Sequence, residues 1–260
     1  MINPPPKLIA FDLDGTLTES KTKMSEQMGE LVAKLLQKMP VAIMSGADFT
    51  QFEKQFLPVL TEKAHRTLLY LFPDNAAQCF MYVNDSWRLQ YDNSFTEEER
   101  AHILNALNLA LKKTGLAEIP LHVWGNRIED RGAQITFSGL GQKAPLREKK
   151  IWDPHREKRV HLRNTLMKYL PEFSEAVGGS TSVDITRKGI TKAYGIIELS
   201  KLTNIPISDM VYVGDALEEG GNDAVVKETG IKTISVETPA DTARLIQSIV
   251  SKGPRHAPVA

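Results

Sequence analysis

The sequence predicts an α/β protein, a Rossmann-like parallel sheet interrupted by an inserted α+β segment. Three observations carry that reading. Short, mostly apolar runs at 8–11, 40–44, 68–72, 210–214 and 232–236 read as strands buried on both faces, and amphipathic helices separate them. The middle of the chain breaks this rhythm with polar, turn-rich strand candidates of the one-side-wet antiparallel kind.

Taken in order, Lys7 to Phe11 is a strand running into an acidic, Gly-containing turn. Ser25 then caps a helix whose Met28, Leu31, Val32, Leu35 and Leu36 share one face at i, i+3, i+4, i+7 spacing. Pro40–Met44 is the second strand and ends at Ser45-Gly46; a helix over about 48–57 and a strand over 68–72 follow. In the middle, 80–83, 87–91, 122–124 and 134–137 are strand candidates. One long helix opens with the capping box Thr96-Glu97-Glu98-Glu99 and stops at Thr114-Gly115; another starts at Asp153-Pro154 and runs to about Leu170. The α/β rhythm returns with a helix over 191–202, a strand over 210–214, a helix over 222–228 ending at Gly230, a strand over 232–236 and a helix over 240–250. The simplest organisation is a discontinuous core of 1–85 plus 185–260, with an α+β insert of 86–184.

Composition bounds the function. The 260 residues are 42% hydrophobic and 25% charged, which excludes a disordered or collagen-like chain and leaves room for one large domain or two modest ones. Thirty-two Lys+Arg balance thirty-two Asp+Glu, so the total offers no basic surplus for nucleic acid. The single cysteine, Cys79, can neither close an internal disulfide nor build a Cys-rich zinc site, which fits a reducing compartment. No apolar run approaches the roughly 18 residues of a membrane span, and 1–6 lacks the features of a secretory leader. A soluble cytoplasmic protein with no membrane partner is expected, with a frayed tail over 253–260.

Asp12 and Asp14 stand at the C-terminal end of the first strand, where open α/β sheets place ligands. In extended backbone an i, i+2 pair leaves on one face, so the two carboxylates converge. Like charges that close call for a cation, a proton or open water. The peptide Phe11-Asp12-Leu13-Asp14-Gly15-Thr16-Leu17-Thr18 resembles the nucleophile loop of the haloacid dehalogenase superfamily. Ser45-Gly46, Lys192, and Gly214-Asp215 with Gly221-Asn222-Asp223 match that superfamily's other motifs in order. Taken singly, Lys192 reads as a solvated helix lysine and Ser45 as a turn serine; the ordered set overrules both readings.

The resemblance implies an aspartyl-phosphate enzyme. Asp12 would attack phosphorus, dividing one displacement into two, and Asp14 would protonate the leaving oxygen and later take a proton from the incoming hydroxyl. Mg²⁺, which prefers oxygen ligands and only one or two carboxylates, would sit on Asp12, the Asp14 main-chain oxygen and Asp215, with Asn222 and Asp223 as auxiliary groups. Ser45, the amides around Gly46 and Lys192 would hold the phosphate oxygens.

The insert resembles a type IIB cap, one that closes over the site, and within that group the chain is similar to the eukaryotic-type phosphomannomutases. Gly214-Asp215 followed by Gly220-Gly221-Asn222-Asp223, the stretch 238–244 and Gly178-Gly179-Ser180-Thr181-Ser182-Val183-Asp184 carry the likeness. It implies that Ser182 and Asp184 bind sugar hydroxyls and that Arg131, in Ile128-Glu129-Asp130-Arg131-Gly132, binds the phosphate not being transferred. Where the family pattern continues with a further arginine, this chain has Gln142 followed by Lys143; a third basic position is Arg147 or Lys149. Mutase chemistry on a hexose phosphate, primed by a hexose bisphosphate, is therefore expected, with a sugar-phosphate phosphatase as the alternative and a silent sugar-phosphate binding module as a third reading. The likeness also suggests a homodimer through the cap.

Overall fold

The computed structural model describes residues 5–19, 22–178, 180–219 and 221–251. The expected tail at 253–260, and Gly179 and Gly220 of the two glycine runs, lie outside the described residues. The strands in chain order are β1 (Leu8–Asp12), β2 (Val41–Met44), β3 (Leu69–Phe72), β4 (Gln78–Val83), β5 (Ser86–Asp92), β6 (Ile128–Asp130), β7 (Gln134–Ser138), β8 (Phe173–Gly178), β9 (Ser182–Arg187), β10 (Met210–Gly214) and β11 (Lys232–Ser235). The helices are α1 (Glu26–Leu36), α2 (Phe49–Gln55), α3 (Glu97–Lys113), α4 (Leu146–Trp152), α5 (Glu157–Leu166), α6 (Lys192–Thr203) and α7 (Pro239–Val250). The chain forms two compact units, 1–92 with 191–260, and 93–190.

The core unit holds a seven-stranded sheet in the order β11-β10-β1-β2-β3-β4-β5, parallel from β11 to β3 and closed at one edge by the antiparallel β4–β5 hairpin. Alternation along β1 feeds both faces. Ile9 and Phe11 join α1 and α7 on one side, while Leu8 and Ala10 join α6 on the other. The Ser25 hydroxyl accepts from the Met28 N–H at 3.2 Å, starting α1 so that Met28, Leu31, Val32, Leu35 and Leu36 all face inward. Truncating Leu35 to alanine should remove about 2–5 kcal/mol of stability. Successive strands run β1, β2, β3 to one side, and the chain later returns to β10 on the other side of β1. This reversal is a topological switch point, and it opens a crevice at the C-terminal ends of β1 and β10.

The insert unit holds the antiparallel sheet β6-β7-β9-β8. Ile135, Phe137, Val183 and Ile185 pack with residues of α3 and α5, leaving Gln134, Thr136, Ser138, Ser182 and Asp184 to the other face. Arg187 draws the two ends of this unit together. It donates to the carbonyls of Asn93 at 3.1 Å and Ser94 at 3.2 Å and makes a two-pronged pair with Glu99.

Four sequence expectations are corrected. The seams fall after Asp92 and Ile190 rather than at 85 and 185, because β5 pairs along β4 in the core sheet and β9 continues to Arg187 in the insert. Residues 122–124 form no strand. Trp124 instead exchanges hydrogen bonds with the loop at Leu140 (2.9 Å) and Lys143 (2.8 Å). The helix expected from Asp153 begins at Glu157, after Arg156 at φ +63°, because Asp153 accepts from the Lys158 and Arg159 amides from outside the helix. The helix expected over 222–228 is a 3-10 run, Ala224–Thr229, closed by i→i−3 bonds such as that from the Val226 N–H to the Asp223 carbonyl at 3.1 Å and ended by Gly230 at φ +76°.

Candidate active site

Parallel register sets the geometry. Asp12 lies opposite Met44 in β2, and Phe11 opposite Val213 in β10, so Ser45 and Asp215 emerge from the loops flanking Asp12. Lys192 opens α6, where the Thr191 hydroxyl caps the helix by accepting from the Tyr194 N–H at 3.5 Å.

The centre is a buried charge cluster. The Lys192 ammonium, 1% exposed, donates to Asp12 Oδ1 and, at 2.6 Å, to Asp223 Oδ1. Asp223 is fully buried and also accepts from the Tyr212 hydroxyl at 2.7 Å and the Ala216 N–H at 3.3 Å. Oxygens of Asp12, Asp215 and Asp223 lie within 4.8 Å of one another. Asp215 is partly exposed and accepts from the Thr16 hydroxyl at 3.3 Å. Two glycines permit this convergence. A Cβ on Gly15, which sits at φ +89°, would stand 2.3 Å from Asp215 Oδ2, and one on Gly214 would stand 2.3 Å from Asp223 Oδ2.

Three carboxylates thus cluster about one ammonium, which is bonded to two of them. Burial, helped by the Asp223 and Asp215 charges, pushes the Asp12 carboxyl up to about 7 against the pull of Lys192. Burial pulls Lys192 the other way, but Asp12 and Asp223 outweigh it and hold the amine above its ordinary value. Burial first, then the Asp223 charge, raises Asp215. Such a surplus of negative charge, with two of its three carboxylates buried, is relieved by a proton or by a further cation. The donors are all oxygen, which fits a hard divalent ion.

Other expected residues fall as follows. Asp14 lies in the turn after β1, partly exposed, and bridges to Thr18. Ser45 is buried, its hydroxyl accepting from the Ala47 N–H at 3.1 Å, and Gly46 follows it. Asn222 is exposed. In the insert, Arg131 is engaged by Glu129 at 2.6 Å, Lys143 and Arg147 are exposed, and Lys149 donates to the Gln142 carbonyl at 3.0 Å. Ser182 opens β9, and Asp184 accepts from the Thr136 hydroxyl at 2.7 Å, which itself accepts from Gln134 at 2.9 Å. Sequence reasoning missed Tyr212 and Thr16. Tyr212 lies inside an apolar strand and reads as core, and Thr16 carries no signal beyond its place in the loop.

The solved structures similar to this chain have low sequence identity and speak to the fold alone. An IMP-bound, N-terminally truncated IMP-nucleotidase from Plasmodium falciparum matches with TM-score 0.70 at 18% identity, over 96% of this chain and 69% of that one. A haloacid dehalogenase-like hydrolase from Bacteroides thetaiotaomicron matches with TM-score 0.63 at 15% identity, over 94% and 99%. The sequence relatives agree along nearly the full length. The phosphomannomutase of Encephalitozoon cuniculi is 28% identical over 262 residues, covering 94% of each chain, and that of Saccharomyces cerevisiae 26% identical over 253 residues, again 94% of each. The family profile described as eukaryotic phosphomannomutase matches residues 28–252, a stretch that begins after Asp12 and Asp14 but takes in Ser45, Lys192, Asp215 and Asp223. With most of its length inside that profile, the chain belongs to the eukaryotic phosphomannomutase family.

Proposed function

We propose that this protein interconverts mannose 6-phosphate and mannose 1-phosphate through a phosphorylated Asp12. The observation that carries the reading is the Lys192 ammonium clamped between Asp12 and Asp223, with Asp215 in the same cluster at the switch point of the sheet. An Asp12 oxygen attacks phosphorus as the bond from phosphorus to the sugar oxygen breaks, and Asp14 supplies the proton that this oxygen takes up. In the return step Asp14 accepts the proton of an incoming sugar hydroxyl, whose oxygen takes the phosphoryl group from Asp12. Ser45, the Gly46 backbone and Lys192 hold the phosphoryl oxygens throughout. Mg²⁺, held by Asp12, the Asp14 main-chain oxygen and Asp215 with Asn222 and Asp223 nearby, would neutralise charge on the phosphoryl group.

Starting the cycle needs a hexose bisphosphate, since Asp12 must first be phosphorylated. In this reading Arg131, Lys143 and Arg147 recognise the phosphate not being transferred, and Ser182 and Asp184 the sugar hydroxyls. A cytoplasmic setting and a homodimer through the insert complete it; the dimer is read out by sedimentation. No described helix is long and apolar enough to cross a membrane.

A second reading, sugar-phosphate hydrolysis, is favoured by Gln142 in the place of an arginine and by Arg131 being engaged by Glu129. One assay separates the two. Mannose 1-phosphate with a trace of hexose bisphosphate should give the 6-phosphate without matching release of inorganic phosphate; inorganic phosphate appearing as fast as the isomer would sink the mutase reading.

A further inference from the structure

Between β3 and β4 the chain turns through Asp74, Asn75 and Ala76 at φ +50°, +55° and +71°. Three successive left-handed residues, none of them glycine, are unusual because Cβ crowds the backbone there. Asparagine and aspartate tolerate the region best, and alanine has no side-chain hydrogen bond to offset the crowding. The turn's backbone leads to the site. The Ser45 N–H donates to Phe72 at 3.0 Å, the Asn75 N–H to the Ser45 carbonyl at 2.8 Å and the Asp74 N–H to the Ala47 carbonyl at 2.9 Å.

The turn's one methyl leads to the other side of the same site. Ala76 is fully buried, and its Cβ lies 2.5 Å from the point where a Cβ on Gly195 would stand, with the Met44 sulfur and methyl each 3.3 Å from that point. Gly195 is in the first turn of α6, the helix that Lys192 opens, where alanine is the better helix former. Two locally unfavourable choices therefore meet at one contact: alanine where glycine turns more easily, and glycine where alanine would strengthen the helix. Local strain of this kind persists where the surroundings demand it.

We propose that the contact of the Ala76 methyl with Gly195 sets the separation between the Ser45 loop and the Lys192 helix, making Ala76 and Gly195 positioning residues for phosphoryl transfer. The proposal rests on the roles given above to Ser45 and Lys192. Both residues act through their neighbours, so their signature is a loss in kcat at constant KM.

Ala76→Gly relaxes the turn and deletes the methyl. It should leave Tm unchanged or raised and KM within about twofold, while kcat falls about tenfold, because small misplacements of reacting groups are expensive. Amide hydrogen exchange at Ser45 and Asn75 should quicken about tenfold in the same variant, with Val211 in β10 unchanged. The methyl exchange Ala76→Gly with Gly195→Ala moves the group across the contact and should restore kcat to within about threefold of the parent, the coupling expected of residues in contact. A kcat within twofold of the parent in Ala76→Gly, or a double variant no better than that single one, overturns the proposal. A parent protein with no phosphoryl transfer would sink the functional reading instead, and unchanged exchange at Ser45 and Asn75 in Ala76→Gly would then overturn the contact on its own.

Discussion

Each unit buries a cation against aspartate, with opposite arithmetic. In the insert, Arg159 and Asp153 are 3% and 4% exposed, one charge against one. The Arg159 Nε donates to Asp153 Oδ2 at 2.8 Å, and its remaining nitrogens reach the carbonyls of Asp153 (3.1 Å) and Gly178 (3.3 Å). The Asp153 oxygens accept from the Lys158 and Arg159 amides at 3.2 and 3.1 Å. In the core, one ammonium faces three carboxylates. The balanced pair is a staple, since its partners satisfy one another. The unbalanced cluster is left wanting positive charge, which is why the proposed function puts a divalent ion and a phosphoryl group there. Burial of an ion pair is thus weak evidence of function, and its charge balance is better evidence.

Removing Asp12 tests the contrast most severely. Asp12→Asn should lower turnover by about 10⁴-fold or more, as loss of a nucleophile does. The same change relieves the negative surplus, so the metal-free protein should melt no lower than the parent. An Asp12→Asn variant that unfolds would place this aspartate with the staples. Asp153→Asn should behave oppositely. Leaving Arg159 buried without its counter-charge costs about 3–5 kcal/mol of stability in urea titration, with kcat of the folded protein retained.

The two clusters should also respond to pH in opposite directions. Asp12 is raised from 3.8 to about 7, so the folded metal-free protein holds a proton that the unfolded chain has lost, and stability falls as pH rises through that window. For Asp153, burial would raise the carboxyl, but its hydrogen bonds with Arg159 win and hold it below the ordinary value. Its stabilisation is therefore present above the unfolded-chain value and lost as pH falls below it. Since a divalent ion favours the carboxylate form of Asp12, the increase in Tm on adding Mg²⁺ should be larger at about pH 7.5 than at about pH 5.5; equal increments would break the assignment. Smallest of all, Tyr212→Phe removes one hydroxyl donor from the buried Asp223 and should cost about 1–3 kcal/mol with only a modest loss of kcat.

How much was legible follows from the same contrast. The parallel strands and their helices declare themselves through apolar runs and a clean cap such as Ser25, because burial on both faces leaves no alternative pattern. Asp12, Lys192, Asp215 and Asp223 are legible through the ordered motifs of the superfamily resemblance, since Lys192 by itself reads as a solvated helix lysine, and the structure brings the four together. Strand β5 misleads: at the edge of the core sheet it is polar and antiparallel, so it reads as part of the insert. Strand β6 is too short and β8 alternates too weakly to announce itself, and Asp153 looks like the start of a helix when it is one half of a buried pair. Tyr212 could not be found, because periodicity reports burial and is silent about what a buried hydroxyl touches.

The grip of Arg187 on Asn93 and Ser94 bears on how the molecule is made. Strand β1 must wait for β10, nearly two hundred positions later, before its second neighbour exists. A compact unit in between that holds its own two ends together shortens that wait, acting as a bridge in place of a long floppy tether. Nascent chains halted before β10 should therefore carry a finished lobe beside a half-built sheet, inert until the last segments thread home.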